Sequence, residues 1–450
     1  MFNATRRSTG CRALTLTTLA VMLSLLASGA SAETTEQPSD DVLLEEMVVT
    51  VERRSQNLQD YAGTAAAFTG EELKSLGVQN IQDLDRFLPG FSVANNGGNI
   101  EVYIRGIGSS NNTELGDPAA ATHLNGVYVP RPSGFGSAFF DIERVEVNIG
   151  PQGTLRGRNA TAGSVDIIPW KPGLGITDAS VEASIGNYGE WSVEGMVNVP
   201  VGEISALRVA GFILEHDSYY DDKGPADVGV AEAAENWGGR LTYLVEPNDQ
   251  WRFTLTGDYI SEQGTGYTGT NYANPLGNGI DPSDIKNPRN VIGRAFEPIQ
   301  DTEHWGFKGH IEWSGDRIGA EYIGSYRDLV YDYTAATPLA PDYPGVLETL
   351  QPADENFDNF SQFRSITDSE SMVHELRFFS TGDGPLQWTA GVFYFEEEQR
   401  SLLAATGDRS LFYSGQEFNQ RTDTESFAVY ADATYSITDR VRLTGGVRYT

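Results

Sequence analysis

Cysteine is almost absent from this sequence. The only one among 450 residues is Cys11, within the N-terminal leader, so the rest of the chain can supply neither an internal disulfide nor a reactive thiol. Basic residues are also few. The 31 Lys and Arg stand against 63 Asp and Glu, which gives a net charge of −32. A surface of that sign repels nucleic acid, and we expect no nucleic-acid partner.

Long apolar runs are missing after the N-terminus. Three arginines precede the apolar run of residues 13–27, and Ala30-Ser31-Ala32 follows as a cleavage site. This arrangement predicts a secretory signal peptide over residues 1–32, since the run is short for a membrane anchor, which is the alternative. No later run approaches the roughly 18 residues that a spanning helix needs. A membrane crossing would therefore depend on strands.

Patterns typical of enzymes are missing as well. His304 and His310 stand six residues apart at the start of a predicted strand, too far for a ligand pair, and we expect both to be solvated. The Gly-rich segment 150–163 lacks the G-K-[ST] ending of a phosphate-binding loop. No Ser/His/Asp arrangement stands out. The prediction is a protein that is not an enzyme and has neither a cofactor nor a metal.

Residues 33–54 are predicted to be a flexible N-terminus with one β-prone run. The run comprises Glu46, Met47, Val48, Val49, Thr50 and Val51. A short strand so near a mobile terminus can pair with the sheet edge of a partner protein. It can equally be the first strand of the next domain, and the residues alone leave both interpretations open.

Residues 55–168 are predicted to form one small domain of helices and strands. Thr69 and Glu72 have the spacing of a capping box, which predicts a short helix that ends at Gly77. A second helix is predicted over residues 81–87, before Pro89-Gly90. The predicted strands span residues 91–94, 101–104, 123–129, 142–147 and 164–168, with a polar loop at 108–113.

From residue 178 to residue 450 apolar and polar residues alternate in long runs with aromatic residues at their ends, which is typical of transmembrane β-strands. The predicted strands span residues 178–186, 191–200, 204–216, 236–246, 250–262, 303–314, 317–334, 370–381, 386–399, 423–436 and 440–450. A soluble β-sandwich is the alternative, but the long connections between alternate strand pairs are uncommon in compact soluble domains. Eleven strands would leave an open edge. We therefore expect the N-terminal portion of a longer protein of about 22 strands.

These features together resemble a TonB-dependent outer-membrane receptor, most specifically in five short motifs at residues 104–108, 125–128, 142–147, 150–155 and 157–160. The motif residues are Arg105, Gly106, Glu143, Arg144, Glu146, Gly150, Pro151, Gly153, Gly157, Arg158 and Asn159. The resemblance implies an α+β plug domain, residues 55–168, inside a transmembrane antiparallel β-barrel. We call residues 55–168 the plug.

The sequence departs from the usual pattern of the family at several positions. Ile149 stands where Arg is usual, and Arg156 where an aromatic residue is usual. Asn125, Ala162 and Pro169-Trp170 also replace the common residues. The resemblance therefore implies that the charge contacts between plug and barrel differ here, with Arg156 and Arg158 as candidates to replace them.

The function implied by the resemblance is energised uptake of a scarce solute across the outer membrane of a Gram-negative bacterium. The solute would be a ferric siderophore or another small organic molecule. Residues 46–51 would be the TonB box, the strand that pairs with a TonB-type energy-transducing protein in the periplasm. The other implied partners are outer-membrane lipid and the small-molecule ligand, and the barrel is expected to be monomeric.

Aromatic and polar residues of the outer loops are the candidates for ligand binding. They are Asn111, Asn112, Arg131, Tyr219, Tyr220, Tyr267 and Tyr272. Packing within the loops is the alternative role for each of the aromatic residues. A passive porin or an adhesion barrel is the alternative function for the chain, although porins have no domain like residues 55–168 ahead of the barrel.

Overall fold

The computed structural model describes most of the chain from residue 48 onward. The described residues are 48–49, 56–57, 61, 63–96, 99–109, 116–131, 133, 139–222, 233–266, 287, 289–292, 299–335, 340–341, 362–382, 384–406, 416–438 and 440–450. Within these ranges no helix has the length and apolar character needed to cross a membrane. Two structures dominate, the plug and a large antiparallel sheet.

The plug contains a five-stranded mixed sheet in the order β3-β8-β9-β6-β7. Its strands are β3 (Thr64–Thr69), β6 (Ala120–Leu124), β7 (Val127–Val129), β8 (Ile142–Ile149) and β9 (Gly163–Pro169). Two short antiparallel pairs lie outside this sheet: β1 (Val48–Val49) with β2 (Gln56–Asn57), and β4 (Phe91–Asn96) with β5 (Asn99–Ile104). The parallel pairing of β6 with β9 makes the sheet mixed.

The first helix, α1 (Gly70–Ser75), begins with the predicted capping box. The Thr69 side chain accepts from the Glu72 amide, and the Glu72 side chain accepts from the Thr69 amide. The second predicted helix is a 3₁₀ helix over Ile81–Arg86 rather than an α-helix. Only a few residues separate its cap, Asn80, from the break at Pro89, and such short segments favour the tighter turn.

The single strand predicted over residues 123–129 is wrong. The structure has two strands there, β6 and β7, which pair antiparallel with Leu124 opposite Val127. Asn125 and Gly126 between them have φ values of 52° and 78°. Positive φ at both central residues is what a type I′ hairpin turn requires, and Asn-Gly is its preferred sequence.

The large sheet has eleven antiparallel strands, each beside its neighbour in sequence. They are β10 (Asp178–Ile185), β11 (Trp191–Pro200), β12 (Ser205–His216), β14 (Ala234–Asn248), β15 (Trp251–Gly264), β17 (Ile299–Ser314), β18 (Ile318–Ala335), β20 (Gln362–Ser380), β21 (Leu386–Thr406), β22 (Gln416–Thr438) and β23 (Val441–Tyr449). Three short strands, β13 (Asp221–Asp222), β16 (Asn290–Ile292) and β19 (Ala340–Pro341), form a separate sheet in the connections.

The two faces of the large sheet differ as the alternation predicts. On β17, Phe307 is 58% exposed on the outer face, whereas its neighbour Lys308 is 6% exposed and contacts the plug. An apolar outer face over a polar inner face is the arrangement of transmembrane barrel strands. The apolar core of the plug, built from residues such as Val145 and Ile167, extends to Ala210 and Ile260 on the inner face of the large sheet.

Candidate functional site

The plug meets the large sheet through a charged contact at the start of β8. Arg208 on β12 donates from Nε to Asp141 Oδ2 at 2.8 Å, and both side chains are buried. The Asp141 amide donates to Glu194 Oε1 on β11 at 3.0 Å. Arg240 on β14 donates to the Phe140 carbonyl at 3.2 Å, and its guanidinium lies 4.4 Å from the centre of the Phe140 ring. Three strands of the sheet therefore bind one short segment of the plug.

A second charged contact joins the plug to β21. Arg131 donates to both carboxylate oxygens of Glu397, at 2.9 Å from Nε and 3.2 Å from Nη2. Ser369 on β20 donates to the same carboxylate at 2.8 Å. Lys308 reaches the turn of the β6–β7 hairpin, where its ammonium donates to the Asn125 carbonyl at 2.6 Å. Asn125 thus both forms the hairpin turn and contacts the large sheet.

The predicted motif residues lie on β8 and in turns of the plug. Arg144 pairs with Glu146 at 2.8 Å and with Glu143, so these three charges form a cluster on β8. Arg105 and Gly106 form a turn at φ values of 52° and 76°.

The Gly-rich segment after β8 carries the remaining motif residues, and several of its residues have positive φ: Gly150, Gly157 and Asn159. Pro151 and Gly153 lie in the same turn region. The Asn159 amide donates to the Tyr128 hydroxyl at 2.6 Å. Burial raises the pKa of Tyr128, so this hydroxyl stays protonated in the physiological range. The segment is therefore packed against the hairpin, and its turns explain its glycines.

The two candidate replacement arginines have different surroundings. Arg156 donates to Asp166 Oδ1 at 2.6 Å, a contact within the plug. Arg158 pairs with Asp117 at 2.9 Å, and its guanidinium lies 4.9 Å from the centre of the Phe395 ring on β21. Arg158 thus contacts the large sheet, whereas the contact of Arg156 with Asp166 lies within the plug.

Buried charges on the inner face of the sheet correct one prediction. His304 is 2% exposed, so the expectation that it is solvated is wrong. Its Nε2 lies 3.1 Å from Arg327 Nη1, and Arg327 pairs with Asp258 at 3.0 and 3.1 Å. His310 is also largely buried, and its Nε2 lies 2.8 Å from Glu321. Strand alternation places both histidines on the inner face, which the plug covers.

A cavity of about 320 Å³ lies between the plug and β10, β11 and β12. The plug contributes Lys74, residues 77–80, Phe139 and Phe140 to its lining, and the sheet contributes Glu182, Ser184, Glu190, Ser192, Val193, Glu194, Phe212, Ile213, Leu214, His216, Tyr219 and Asn236. The rings of His216 and Tyr219 are stacked with their centres 4.8 Å apart. The cavity therefore combines charged, polar and aromatic walls, as small-molecule sites do.

Lys74 is the basic residue in the lining of this cavity. Its ammonium lies 2.9 Å from Glu182 and 3.4 Å from Glu194. Burial alone would lower the pKa of Lys74, but the hydrogen bond to Glu182 and the charge of Glu194 outweigh it, so the pKa is raised. Lys74 is consequently charged at neutral pH.

The predicted ligand residues have different positions. Tyr219 lines the cavity, and Tyr220 follows it with its amide bonded to Ser218 Oγ at 3.1 Å. Arg131 lies at the contact with Glu397 instead. Four of the candidates, namely Asn111, Asn112, Tyr267 and Tyr272, lie outside the described residues.

Of the predicted partner-binding strand, only Val48 and Val49 are described, and their backbone pairs with Gln56–Asn57. Glu46, Met47, Thr50 and Val51 lie outside the described residues.

Sequence reasoning missed the residues that join plug and sheet, above all Asp141, Arg208, Arg240 and Glu397. A signal was present: each of the latter three is a charged residue at an inward position of an alternating strand. Asp141 directly precedes the motif strand β8. Which inward-facing charge pairs with which plug residue depends on the position and orientation of the plug against the sheet, which the sequence pattern does not give.

Comparisons with known proteins agree with this architecture. Residues 57–164 match the family model described as TonB-dependent Receptor Plug Domain. The pesticin receptor of Yersinia enterocolitica is 24% identical over 437 residues, which cover 94% of this chain and 58% of the relative. The vitamin B12 transporter BtuB of Photobacterium profundum is 29% identical over 261 residues, or 54% of this chain and 39% of the relative.

Among solved structures, the ferric yersiniabactin uptake receptor FyuA from Yersinia pestis superposes with a TM-score of 0.68 at 19% identity. The match covers 86% of this chain and 56% of that structure. At this identity the likeness shows the fold, a plug and a sheet of barrel strands. The chain spans 58% of the length of the first curated relative that it matches.

Proposed function

We propose that this chain, which belongs to the TonB-dependent receptors of the Gram-negative outer membrane, takes part in the energised uptake of a scarce small solute. The observation that carries the proposal is the polar character of the contacts between the plug and the large sheet. Ion pairs and hydrogen bonds such as Asp141–Arg208 and Arg131–Glu397 join the plug to the sheet. Contacts of this kind can be exchanged for water when a force moves the plug, more readily than a dry apolar contact.

Energy would reach the plug through the strand at its N-terminal end. The segment of residues 46–51 would add as a strand to a TonB-type protein in the periplasm, by main-chain pairing. Val48 and Val49 already form a strand ladder with Gln56–Asn57, which supports their capacity for such pairing. Pairing with a partner would exchange this two-residue ladder for a longer one.

The solute would be a ferric siderophore or another small organic molecule. The relatives are named a pesticin receptor and a vitamin B12 transporter, and the superposed structure is a ferric yersiniabactin uptake receptor. These matched proteins are receptors and transporters, and we infer that this chain likewise has no enzymatic step. Outer-membrane lipid would contact the apolar outer face, and the barrel would act as a monomer.

Deletion of residues 46–51 tests the proposal. The deletion should abolish accumulation of the solute by whole cells while surface binding of the solute and receptor abundance stay unchanged. A matched deletion in the preceding segment, residues 36–41, should leave uptake intact. If uptake of every candidate solute survived the loss of residues 46–51, the energised mechanism would be excluded. The passive porin would then be the better explanation, although no comparison supports it.

A further inference from the structure

We propose that the cavity between the plug and β10–β12 binds a small organic cation that carries an apolar or aromatic face. The inference rests on the proposed function in that it names the chemical class of the solute. It concerns a defined place, the space lined by Lys74, residues 77–80 and 139–140 of the plug, by residues of β10, β11, β12 and β14, and by Glu190 and Tyr219 in the connections. Its volume of about 320 Å³ is at the lower end of the range for small-molecule sites.

The position of the cavity suits capture from outside the cell. His216 is the last residue of β12, and Tyr219 lies in the long connection of residues 217–233 that follows it. Glu190 lies in the turn between β10 and β11 at the same end of the sheet. The opposite end has tight turns such as residues 201–204, and in outer-membrane barrels the long connections face outward. Glu190, His216 and Tyr219 thus place one side of the cavity lining at the outward-facing end of the sheet.

The charge of the lining favours a cation. Three carboxylates, those of Glu182, Glu190 and Glu194, face one ammonium, that of Lys74. Lys74 pairs with Glu182 and Glu194. Within the described part of the chain, the Glu190 carboxylate has no ion-pair partner. An anionic chelate would meet an excess of negative charge, whereas an ammonium or similar cation would neutralise it.

The rest of the lining favours a solute with an apolar face. Phe140 and Phe212 pack with ring centres 4.9 Å apart on one side of the cavity. On another side the Tyr219 ring is stacked on His216, with an angle of 13° between the planes. Aromatic faces attract cations as well as apolar groups. The nearby Arg289 guanidinium lies over Tyr188, 4.5 Å from its ring centre, and its Nε donates to the Tyr219 carbonyl at 2.8 Å, but Arg289 is not itself part of the lining.

Calorimetric titration of the purified receptor in detergent at neutral pH tests the inference with three probes. Phenethylamine, phenethyl alcohol and hydrocinnamate share one ring and one short chain but are positive, neutral and negative. We expect affinity to fall in that order. Glu190→Gln should weaken the binding of phenethylamine by about fivefold and the binding of phenethyl alcohol by less than about twofold, because only the charge attraction is lost. Tyr219→Leu should weaken the binding of both phenethylamine and phenethyl alcohol.

Glu203→Gln is the matched control, since Glu203 is an exposed glutamate in the tight turn at the opposite end of β12. It should leave all three affinities unchanged. Tighter binding of hydrocinnamate than of phenethylamine, no binding of any probe, or equal effects of Glu190→Gln and Glu203→Gln would each overturn the inference. Binding here is independent of energised transport. If the charge order held but uptake survived deletion of residues 46–51, the site would stand and the transport mechanism would fail.

Discussion

Asp141 and Arg208 are 67 residues apart in the chain and form a buried ion pair between plug and sheet, with Arg208 Nε 2.8 Å from Asp141 Oδ2. Asp141 has a positive φ of 51°, a conformation that Asp and Asn tolerate better than most residues. Its amide binds Glu194, and its carbonyl accepts from the Trp170 amide at 3.1 Å. The residue therefore joins the start of β8, the end of β9 and two strands of the large sheet.

Loss of one charge from this pair should loosen the plug. Removing one partner of a buried ion pair leaves the other uncompensated, at a cost of about 3 kcal/mol. We expect Asp141→Asn, which keeps the backbone preference, and Arg208→Gln each to destabilise the seated plug by that amount. The loss of stability in the double variant should be smaller than the sum of the losses in the two single variants, because neither charge then remains unpaired. Hydrogen exchange of the β8 amides in the purified protein measures the effect.

Arg317→Gln is the control for this prediction, since Arg317 is an exposed arginine in the turn between β17 and β18. It should leave β8 protection unchanged. Strict additivity of the two single variants would show that the two side chains do not act as a pair.

The strands of the large sheet were predictable because their alternation is a local property. All eleven strands lie where the pattern predicts, and the tight turns between them are short enough to set their order. The outer ends were predicted too short. β20 begins at Gln362 rather than at residue 370, and β21 continues to Thr406 rather than to residue 399. Residues 362–369 of β20 are mostly polar on both faces, and Leu402 to Ala405 of β21 are apolar on both faces, so neither end carries an alternation signal.

The plug was less predictable because its signals conflict. The capping box at Thr69 is local and was predicted correctly. The Asn125-Gly126 turn is also local, but its flanking residues continue an apolar alternation that hides the break. The contacts that hold the plug against the sheet could not be predicted from the sequence. Arg131 and Glu397 are 266 residues apart, and a single sequence gives no register between a domain and the sheet that surrounds it.

Gly163 should be intolerant of any side chain, unlike Gly153 in the same motif region. Gly163 has a φ of 149°, and a Cβ there would lie 2.0 Å from the Asn148 carbonyl oxygen. A Cβ at Gly153 has no described atom within 4 Å. Gly163→Ala should therefore disrupt the β8–β9 pairing and cost at least about 2 kcal/mol, from strain and lost hydrogen bonds.

Urea-dependent proteolysis of the plug compares the two glycine variants. The free energy of unfolding of the Gly153→Ala plug should match that of the unaltered protein within about 0.5 kcal/mol. Gly163→Ala should be cleaved at clearly lower urea concentrations. Equal resistance of the two variants would show that β9 can shift to accept a side chain, contrary to the close approach of the backbones.

The two salt bridges Arg131–Glu397 and Arg364–Asp332 differ chiefly in burial. The free-energy cost of breaking each one should differ accordingly. Glu397 has a side chain that is 2% exposed and accepts from both Arg131 and Ser369. The side chains of Arg364 and Asp332 are 43% and 32% exposed on adjacent strands of the sheet. Solvent screens the second pair, so it contributes at most about 1 kcal/mol, whereas an unpaired Arg131 at the first costs about 3 kcal/mol.

Glu397→Gln should accordingly increase hydrogen exchange of the plug segment around Arg131 by about a hundredfold, the ratio that corresponds to roughly 3 kcal/mol. Asp332→Asn should change exchange in that segment by less than about twofold, because its partner Arg364 stays hydrated. Raising the salt concentration should reduce the small effect of Asp332→Asn and leave that of Glu397→Gln intact, since buried charges are screened little. Similar exchange rates in the two variants would mean that Glu397 does not hold the plug.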